Sequence, residues 1–567
     1  MASSFMGLYV QREALLISQK ALDITGHNIS NINTPGYTRQ RIDICSVANV
    51  KGSLGYNTSI TLAGKGSDAV GVAQIRDRLL DTKVRNYSSD LCDVGTKMST
   101  LADVEDVFDA IETDELGASF ASIVNQFKES LQSFSVDNAD RVEVANIALN
   151  NAESLIQAIV NYDSKLTDIS EQVLGDTQAT VNRVNAILAE MGSLNKQIKD
   201  AYITMGYIES DEGNYHVMND YGPLELKDQF HSLLDELSQY GNMHVKEEND
   251  GTFTVHFANQ LAVSNDKFAQ MAITKDNPKP TELAYEITQV QYDADGKIVG
   301  GLYNKDEWFD LSIKNDVGSD KQLLVRNGAA GATVNISGKD NNGEYILDSG
   351  SLRGSLDVFN GRGIFAETVV DAKGNTDITN PYQGIEYYRD MLNSFVKTMT
   401  DEMNGIFAGY GEVFTYGGDF RTAAQNFRVA DDWQDYPELI SNPTKSNQYA
   451  ELDNSYIQKM LGVLGTPQKY GDGTTFDPQE FTPEKFVAHI CDNLGTQVEY
   501  ETGVYNATDI MLTSVETARS EVMDVSMDEE GINMMNYQKW YNAISRMITT
   551  IDEALDKLIN GTGKVGL

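Results

Sequence analysis

Residues 26–40 read Gly-His-Asn-Ile-Ser-Asn-Ile-Asn-Thr-Pro-Gly-Tyr-Thr-Arg-Gln and directly follow a long amphipathic segment. Pro35 pushes Thr34 out of the helical region of backbone space, and Gly36 permits a positive φ angle. A helix that enters this stretch must therefore stop or turn sharply. The asparagines around the turn can hydrogen-bond the local backbone or a neighbouring chain.

The segment before this turn carries one apolar stripe with a seven-residue repeat. The stripe consists of Leu8, Leu15, Leu22 and Ile29, with a flanking row at Ala14, Ile17, Ala21 and Ile24. A strict seven-residue repeat favours packing against another helix with a slight left-handed supercoil. The sequence therefore predicts an N-terminal helix that needs a partner.

The last stretch of the chain supplies a matching helix. Its apolar residues recur at Ile544, Ile551 and Leu558, with Met547, Ile548 and Leu555 on the same face. Ser526 followed by Glu529 is typical of a capping box, and the acidic residues 528–530 suit the positive end of a helix dipole. We expect this helix to begin near Met527, to end at the glycines after Asn560, and to pair with the N-terminal helix as a coiled coil.

Charge separates the two ends from the rest of the chain. The 567 residues include 44 Lys and Arg against 84 Asp and Glu, which gives a formal charge of -40. Residues 1–45 sum to +1 and residues 526–567 to -2, so -39 falls on the part between them. Near-neutral ends can crowd together in many copies, whereas the acidic remainder is repelled by phosphate backbones and anionic lipid. This balance argues against nucleic-acid and membrane partners.

Length and periodicity divide the chain into helical and β parts. A chain of this length needs more than one core. Residues 91–205, 387–407 and 486–523 have helical spacing, whereas residues 252–257 alternate with the period of a strand. The predicted fold class is α+β and multidomain, with discontinuous domains. These are a terminal helical coiled-coil pair (1–45 with 515–567), a long-helix bundle domain (46–240 with 350–514) and a mainly β outer domain (241–349).

The turn at residues 27–40 resembles the signature shared by the rod, hook and hook-associated proteins of the bacterial flagellum. That signature runs roughly Asn-Asn-hydrophobic-Ala-Asn, two residues, Thr-x-Gly-Tyr, and His27 and Ser30 depart from it. The continuation Arg39-Gln40 is similar to the hook-associated protein 1 family rather than to hook or rod subunits. Residues 525–538, with Asp-Glu-Glu and a later Tyr-Gln, resemble the closing signature of the same family.

The resemblance implies a structural, non-enzymatic subunit outside the cell, at the junction between the flagellar hook and filament. It implies export by the flagellar type III apparatus without a cleaved signal peptide. The implied partners are further copies of the chain, the hook protein, the next hook-associated protein and an export chaperone. The terminal helices are expected to stay poorly ordered in the free monomer and to fold on assembly. Two alternatives stay open: another axial subunit, such as a hook or rod protein, and a flagellum-borne cell-wall hydrolase or protease.

The residues expected at the assembly interface belong to the two apolar stripes and to the turn. They are Leu8, Leu15, Leu22, Ile29, Asn28, Asn31, Thr34, Gly36, Tyr37, Ile544, Ile551, Leu555 and Leu558.

No catalytic, cofactor-binding or metal-binding residue is predicted. Residues 293–296 resemble the start of a calcium loop, but Asn304 stands where that loop needs a glutamate. Residues 328–331 lack the Lys and the Ser or Thr of a phosphate loop, so both segments favour turns. The six histidines and three cysteines show no spacing of a metal site or a disulfide framework.

Overall fold

Helices dominate the architecture of the chain in a computed structural model. The structure describes residues 4–46, 66–112, 119–134, 142–204, 208–209, 215–216, 222–276, 284–292, 334–335, 345–366, 368–370, 376–378, 380–441, 443, 455–473 and 475–561. The α-helices of these residues are α1 (Ser4–Ser30), α2 (Arg78–Glu112), α3 (Phe120–Gln132), α4 (Val142–Thr204), α5 (Leu224–Leu237), α6 (Ser351–Asn360), α7 (Ile385–Ile406), α8 (Asp431–Asp435), α9 (Ser455–Gly465), α10 (Phe486–Met523) and α11 (Met527–Gly561).

The strands of the described residues form antiparallel sheets. They are β1 (Gln40–Ser46), β2 (Ser67–Gln74), β3 (Ile208–Glu209), β4 (Tyr215–His216), β5 (Met243–Glu247), β6 (Phe253–Phe257), β7 (Gln260–Ser264), β8 (Lys267–Asp276), β9 (Ala284–Tyr292), β10 (Val334–Asn335), β11 (Thr368–Val370), β12 (Thr376–Ile378), β13 (Phe414–Thr415), β14 (Arg428–Val429), β15 (Gln468–Gly471) and β16 (Phe476–Phe481). The largest sheet has six strands in the order β10-β9-β8-β7-β6-β5, and the others are two-stranded ribbons. In one of these ribbons, β1 pairs with β2 so that Gln40 lies opposite Gln74.

The first apolar core lies among α3, α7 and α9 and the adjoining parts of α2, α4 and α10. Its centre is aromatic: the ring centroids of Phe395 and Phe486 are 4.5 Å apart, and Tyr470 stacks on Phe481 at 4.6 Å. The 63-residue helix α4 has a length of about 95 Å at a rise of about 1.5 Å per residue, so it extends well beyond this core.

The second apolar core joins the far end of α4 to the six-stranded sheet. Phe253, Val255 and Phe257 of β6 are buried, and the residues between them are half-buried, which is the alternation of a strand with one covered face. Phe230 of α5 stacks on Phe253 with ring centroids 4.5 Å apart. Because this core includes residues of α4, α5 and α6, the sheet and these helices are stabilised together.

The terminal helices lie side by side. At Gly7 a Cβ atom would be 3.8 Å from Cδ1 of Ile551, which is an ordinary van der Waals distance, so α1 and α11 are in contact here. The long helix α10 packs along α2 and leads from the first core to the start of α11. The termini are therefore attached to the helical body at the corner between α10 and α11.

Several sequence predictions are confirmed by these elements. Helices were predicted at both termini and at residues 387–407 and 486–523, and the structure has α1, α11, α7 and α10 there. The mixed α+β class is also confirmed. The coiled-coil geometry of the terminal pair and the three domain borders stay predictions. Residues 293–296 and 328–331, where turns were expected, lie outside the described residues.

The described residues hold neither a candidate membrane-spanning helix nor a candidate metal site. None of their helices combines the length and apolar character that crossing a lipid bilayer requires. Within the same ranges, no three His, Cys, Asp or Glu side chains converge in a way that would hold a metal ion.

Candidate assembly site

One face of α1 is covered in the folded chain. Ile17, Ala21 and Ile24 of the flanking row are buried, with exposed fractions of 8%, 2% and 6%. The predicted seven-residue stripe is less completely covered, since Leu8, Leu15, Leu22 and Ile29 are all half-buried. The pairing with α11 and the contacts with β1 and β2 therefore bury the flanking row more deeply than the stripe.

The stripe of α11 is covered to a similar extent. Ile544, Ile551 and Leu555 are half-buried, and the side chain of Leu558 lies outside the described residues. Two helices that meet only each other can cover one side each, so a long helix pair leaves its outer sides in water.

Large apolar side chains remain exposed on both helices of the pair. In α11, Ile532, Met535, Trp540 and Met547 are each more than half exposed, and in α1 Tyr9 is 55% exposed. Further exposed side chains of the pair are Leu16, Tyr541 and Ile559. Several large apolar side chains left exposed on one helix pair are typical of a site that another protein covers. We call this set the outer apolar face.

The side chain of Asn28 holds the turn that follows α1. Its Nδ2 donates to the Gln40 carbonyl at 2.8 Å and to Oε2 of Glu530 at 3.2 Å. Its Oδ1 accepts from the Tyr37 hydroxyl at 2.7 Å and from the Gln40 amide at 3.0 Å. Both donors and both acceptor positions of this buried amide are used, so its orientation is fixed.

The other turn residues lie nearer the surface. Gly36 has a φ of 75°, and a Cβ atom there would be 3.6 Å from Cβ of Ser232 in α5. Asn31 donates to the His27 carbonyl at 3.0 Å and accepts from the Thr34 hydroxyl at 3.2 Å. Burial, together with nearby carboxylates, raises the pKa of the Tyr37 hydroxyl, which keeps it a hydrogen-bond donor.

Arg39 ties this turn to the start of α11. Its guanidinium donates to Oε1 of Glu530 at 2.8 Å and to Oε2 of Glu529 at 2.6 Å, and its backbone amide donates to the Met523 carbonyl at 3.0 Å. Although burial acts to lower the pKa of Arg39, its hydrogen bond to Glu529 and the charge of Glu530 raise it. The Glu530 side chain is only 3% exposed, so Arg39 neutralises a buried carboxylate.

Asp228 of α5 ties the same turn to the helical body. Its carboxylate accepts from the Thr38 hydroxyl at 2.7 Å and the Thr38 amide at 3.2 Å, and it lies 3.5 Å from Nη1 of Arg76. Burial raises the pKa of Asp228 to about 6, against the opposing effects of Thr38 and Arg76. Desolvation therefore outweighs the attractive contacts at this carboxyl.

Ion pairs continue from Asp228 into α2 and α10. Arg76 lies 3.2 Å from Asp81, and Arg519 of α10 lies 3.7 Å from Asp81 and 2.9 Å from Asp235 of α5. The turn, α2, α5, α10 and α11 are thus joined by one set of charged side chains. We call this set, with Asn28 and Arg39, the anchor.

The structure brings Asn28 and Tyr37, both expected at the assembly interface, into contacts within the chain. It places Asn31, Thr34 and Gly36 at the surface of the turn. The sequence predictions gave Asp228 no role in the site, and they gave residues 528–530 a capping box, a helix-dipole role and a place in the closing signature but no ion pair with Arg39. The adjacent acidic pair Glu529-Glu530 was the available signal, because a carboxylate beside the first turn of a helix is also placed to pair with an arginine.

Comparisons with known proteins match the same regions. Residues 101–310 match the model of the flagellar hook-associated protein FlgK helical domain. Residues 8–38 match the flagella basal body rod protein model, and residues 517–561 match the C-terminal model of the basal body rod FlgEFG proteins. The two rod-protein matches cover most of α1 and α11 and include Asn28 and Arg519 of the anchor.

Full-length relatives agree with these matches. Flagellar hook-associated protein 1 of Bacillus subtilis is 26% identical over 580 residues, which span 100% of both chains. The chain is similar over its whole length to the flagellar hook-associated protein 1 family. The Escherichia coli member of this family is 23% identical over 96% of this chain and 97% of its own length. This is a family of structural flagellar proteins.

A solved structure of the hook-associated protein 1 family is also similar to the chain. It is the flagellar hook junction protein FlgK of Burkholderia pseudomallei, with 16% identity and a TM-score of 0.39. The similarity covers 59% of this chain and 47% of that one.

Proposed function

We propose that the chain is a structural subunit of the hook–filament junction that self-associates through the outer apolar face of α1 and α11. The observation that carries this proposal is the group of exposed side chains at Ile532, Met535, Trp540 and Met547 on a helix that already pairs with α1. Burying apolar surface stabilises an assembly by about 25 cal/mol per Å². Stacked copies of the helix pair bury what a single copy exposes.

The distribution of charge supports an arrangement with the termini at the centre of the assembly. Because the two terminal segments sum to only -1 of the total of -40, they can be crowded together at little electrostatic cost. The acidic remainder then faces solvent, where like charges are screened beyond about 8 Å at physiological ionic strength.

The anchor gives the terminal pair a defined direction relative to the body. Arg39 joins the turn to α11, and Asp228 joins it to α5, so the pair cannot rotate without breaking buried hydrogen bonds. A subunit that joins two different tubes needs a fixed angle between its inner and outer parts. The partners that this role implies are the hook protein and the next hook-associated protein.

The proposal also includes the route by which the chain leaves the cell. We expect the chain to leave the cell through the flagellar type III apparatus with the help of an export chaperone. We assign it no catalytic role. Reproducible hydrolysis of peptidoglycan or casein by the purified protein would contradict that part of the proposal.

The decisive experiment is the substitution Trp540→Asp in the full chain. A carboxylate on the outer apolar face opposes burial between subunits, so we expect at least a tenfold higher critical concentration for assembly and loss of swimming in a complemented null strain. Monomer melting should not change, because Trp540 is 54% exposed in the folded chain.

The matched control is Ile147→Asp, which introduces the same charge at a similarly exposed apolar residue of α4, 53% exposed. This variant should assemble and swim normally. The proposed role of the outer apolar face fails if Trp540→Asp assembles like the unsubstituted chain, or if both variants are equally impaired.

A further inference from the structure

A cavity of about 720 Å³ lies beside the anchor, between the start of α2, the first half of α5 and strand β5. Arg76, Arg78 and Arg85 line it from the α2 side, Lys227 from α5 and Lys246 from β5. The outer apolar face does not include it. The residues of α2, α5 and β5 that form its walls are held by the ion pairs of the anchor and by the second core.

The charge of this cavity is opposite to that of the molecule. Five of its 17 described lining residues are Lys or Arg, and only two, Asp81 and Glu247, are acidic. In the whole chain, acidic residues outnumber basic ones by 84 to 44. A concave wall of one sign concentrates its field inside the cavity, so the site attracts anions even in an acidic protein.

The cations of the cavity differ in how firmly they are held. Arg85 donates to Asp235 at 2.7 Å, and Lys227 donates to Glu247 at 2.7 Å. Arg78 and Lys246 stand at the mouth, where their side chains are 84% and 72% exposed. Lys246 donates to Glu248 at 2.9 Å, and Arg78 shares Glu247 with Lys227, so these three cations face two carboxylates and leave a positive excess of one charge at the mouth.

The pKa of His231 reflects the positive electrostatic potential inside the cavity. Burial, and then the charges of Arg76, Arg85, Lys227 and Arg78, lower the pKa of His231 well below its usual value. Its Nδ1 is 3.1 Å from Nη2 of Arg85, and a guanidinium can only donate, so Nδ1 accepts and the proton of the neutral ring is on Nε2. The inner wall therefore has a neutral donor beside its cations.

We propose that this cavity binds the carboxylates of an acidic segment of a second copy of the chain. The proposal rests on the proposed self-association and assigns it a polar contact in addition to the outer apolar face. Nucleic acids and anionic lipid are repelled by the net charge of -40, whereas neighbouring copies present carboxylates at high local concentration. Guanidinium groups match the planar geometry of carboxylates, and three of them line the α2 side of the cavity.

The test uses the full chain with Arg78→Gln and Lys246→Gln combined. The double variant removes the two mouth cations and leaves the buried pairs of Arg85 and Lys227 intact. We expect at least a tenfold higher critical concentration for assembly, with unchanged thermal melting. Lys469→Gln is the control, since this lysine is 65% exposed and pairs with Glu480 away from the cavity; it should assemble normally. Normal assembly of the double variant would overturn the proposal.

A soluble acidic peptide distinguishes the binding of carboxylates from the binding of other anions. Hexaglutamate should inhibit assembly of the unsubstituted chain and should bind the double variant at least tenfold more weakly, as measured by calorimetry. Equal binding of both proteins would overturn the carboxylate site. If inorganic phosphate alone bound the cavity while the double variant assembled normally, the second copy would be excluded as the ligand. Trp540→Asp tests the outer apolar face separately, so failure of either proposal is distinguishable from failure of the other.

Discussion

The contacts of Asn28 show how far the structure of the turn could be predicted from its sequence. The sequence placed an asparagine before a Pro-Gly turn and allowed it two uses, a local hydrogen bond or a contact with a neighbouring chain. In the structure its amide is used completely within the chain, by Gln40, Tyr37 and Glu530. Glu530 is 502 positions away, and no local rule identifies a partner at that distance.

Asp228 provides a prediction at the same scale. Its pKa in the folded chain is about 6, above the usual value of 3.8, so the folded state binds the proton more tightly than the unfolded state. The stability that protonation adds is complete below about pH 4 and is lost as the pH rises through about 6. Asp228→Asn removes this titration but keeps a group that can accept from Thr38.

The measurement is the free energy of unfolding of both proteins at pH 4, 5, 6 and 7. Relative to the variant, the unsubstituted chain should lose on the order of 2 kcal/mol across this range. All other carboxyls titrate equally in the two proteins and cancel in the difference. A difference that is constant with pH, or that grows in favour of the unsubstituted chain, would contradict the raised pKa.

At the scale of single elements, periodicity predicted the helices well and their covered faces less well. The seven-residue stripe of α1 indicated the side that pairs, yet Ile17, Ala21 and Ile24 beside it are the more deeply buried residues. The ribbon of β1 and β2 also contacts α1, and nothing in the helix sequence reveals that second neighbour. A periodic pattern gives the apolar side of a helix, whereas tertiary contacts decide the centre of the covered surface.

The start of α11 shows a similar limit. The capping box predicted from Ser526 and Glu529 is only partly formed, since the Glu529 amide lies 3.5 Å from the Ser526 hydroxyl. The carboxylate of Glu529 pairs with Arg39 instead. The position of the helix start was correct, because the local sequence determines it. The ion pair between Glu529 and Arg39 was not predictable, because Arg39 comes from the other end of the chain.

Gly350, at the start of α6, gives a prediction for an element junction. Its φ is 91°, and a Cβ atom there would lie 2.3 Å from the backbone of Tyr240 and Gly241. Gly350→Ala should therefore lower the free energy of unfolding by about 2 kcal/mol or more, from backbone strain and collision together.

The control for this junction is Gly175→Ala in α4, where nothing lies within 4 Å of the added methyl group. That variant should be stabilised by up to about 1 kcal/mol, because alanine is the better helix former. Chemical denaturation of the two variants measures both changes. A neutral Gly350→Ala would mean that α6 can shift away from Gly241 without cost.

At the scale of the whole molecule, the sequence separated helical from β regions but did not show what joins them. Residues 252–257 were predicted as a strand and largely form β6, which is buried against α5. The sheet packs in one apolar core with α4, α5 and α6. The alternating pattern of a strand predicts the strand itself but not the distant helices that pack on it. The anchor was missed for the same reason, since its partners lie at residues 39, 76, 228, 519 and 530.

Removal of residues 531–567 tests whether the terminal pair is an addition to an independently stable body. Neither apolar core contains a residue beyond Leu494, and the deletion leaves Glu530 in place to pair with Arg39. We therefore expect the shortened chain to melt within about 3 °C of the full chain and to fail in assembly, because α11 and most of the outer apolar face are gone. Calorimetry and sedimentation measure the two properties on the same sample. A fall in melting temperature of more than about 10 °C would show that α11 stabilises the body directly, and retained assembly would show that subunits meet through a different surface.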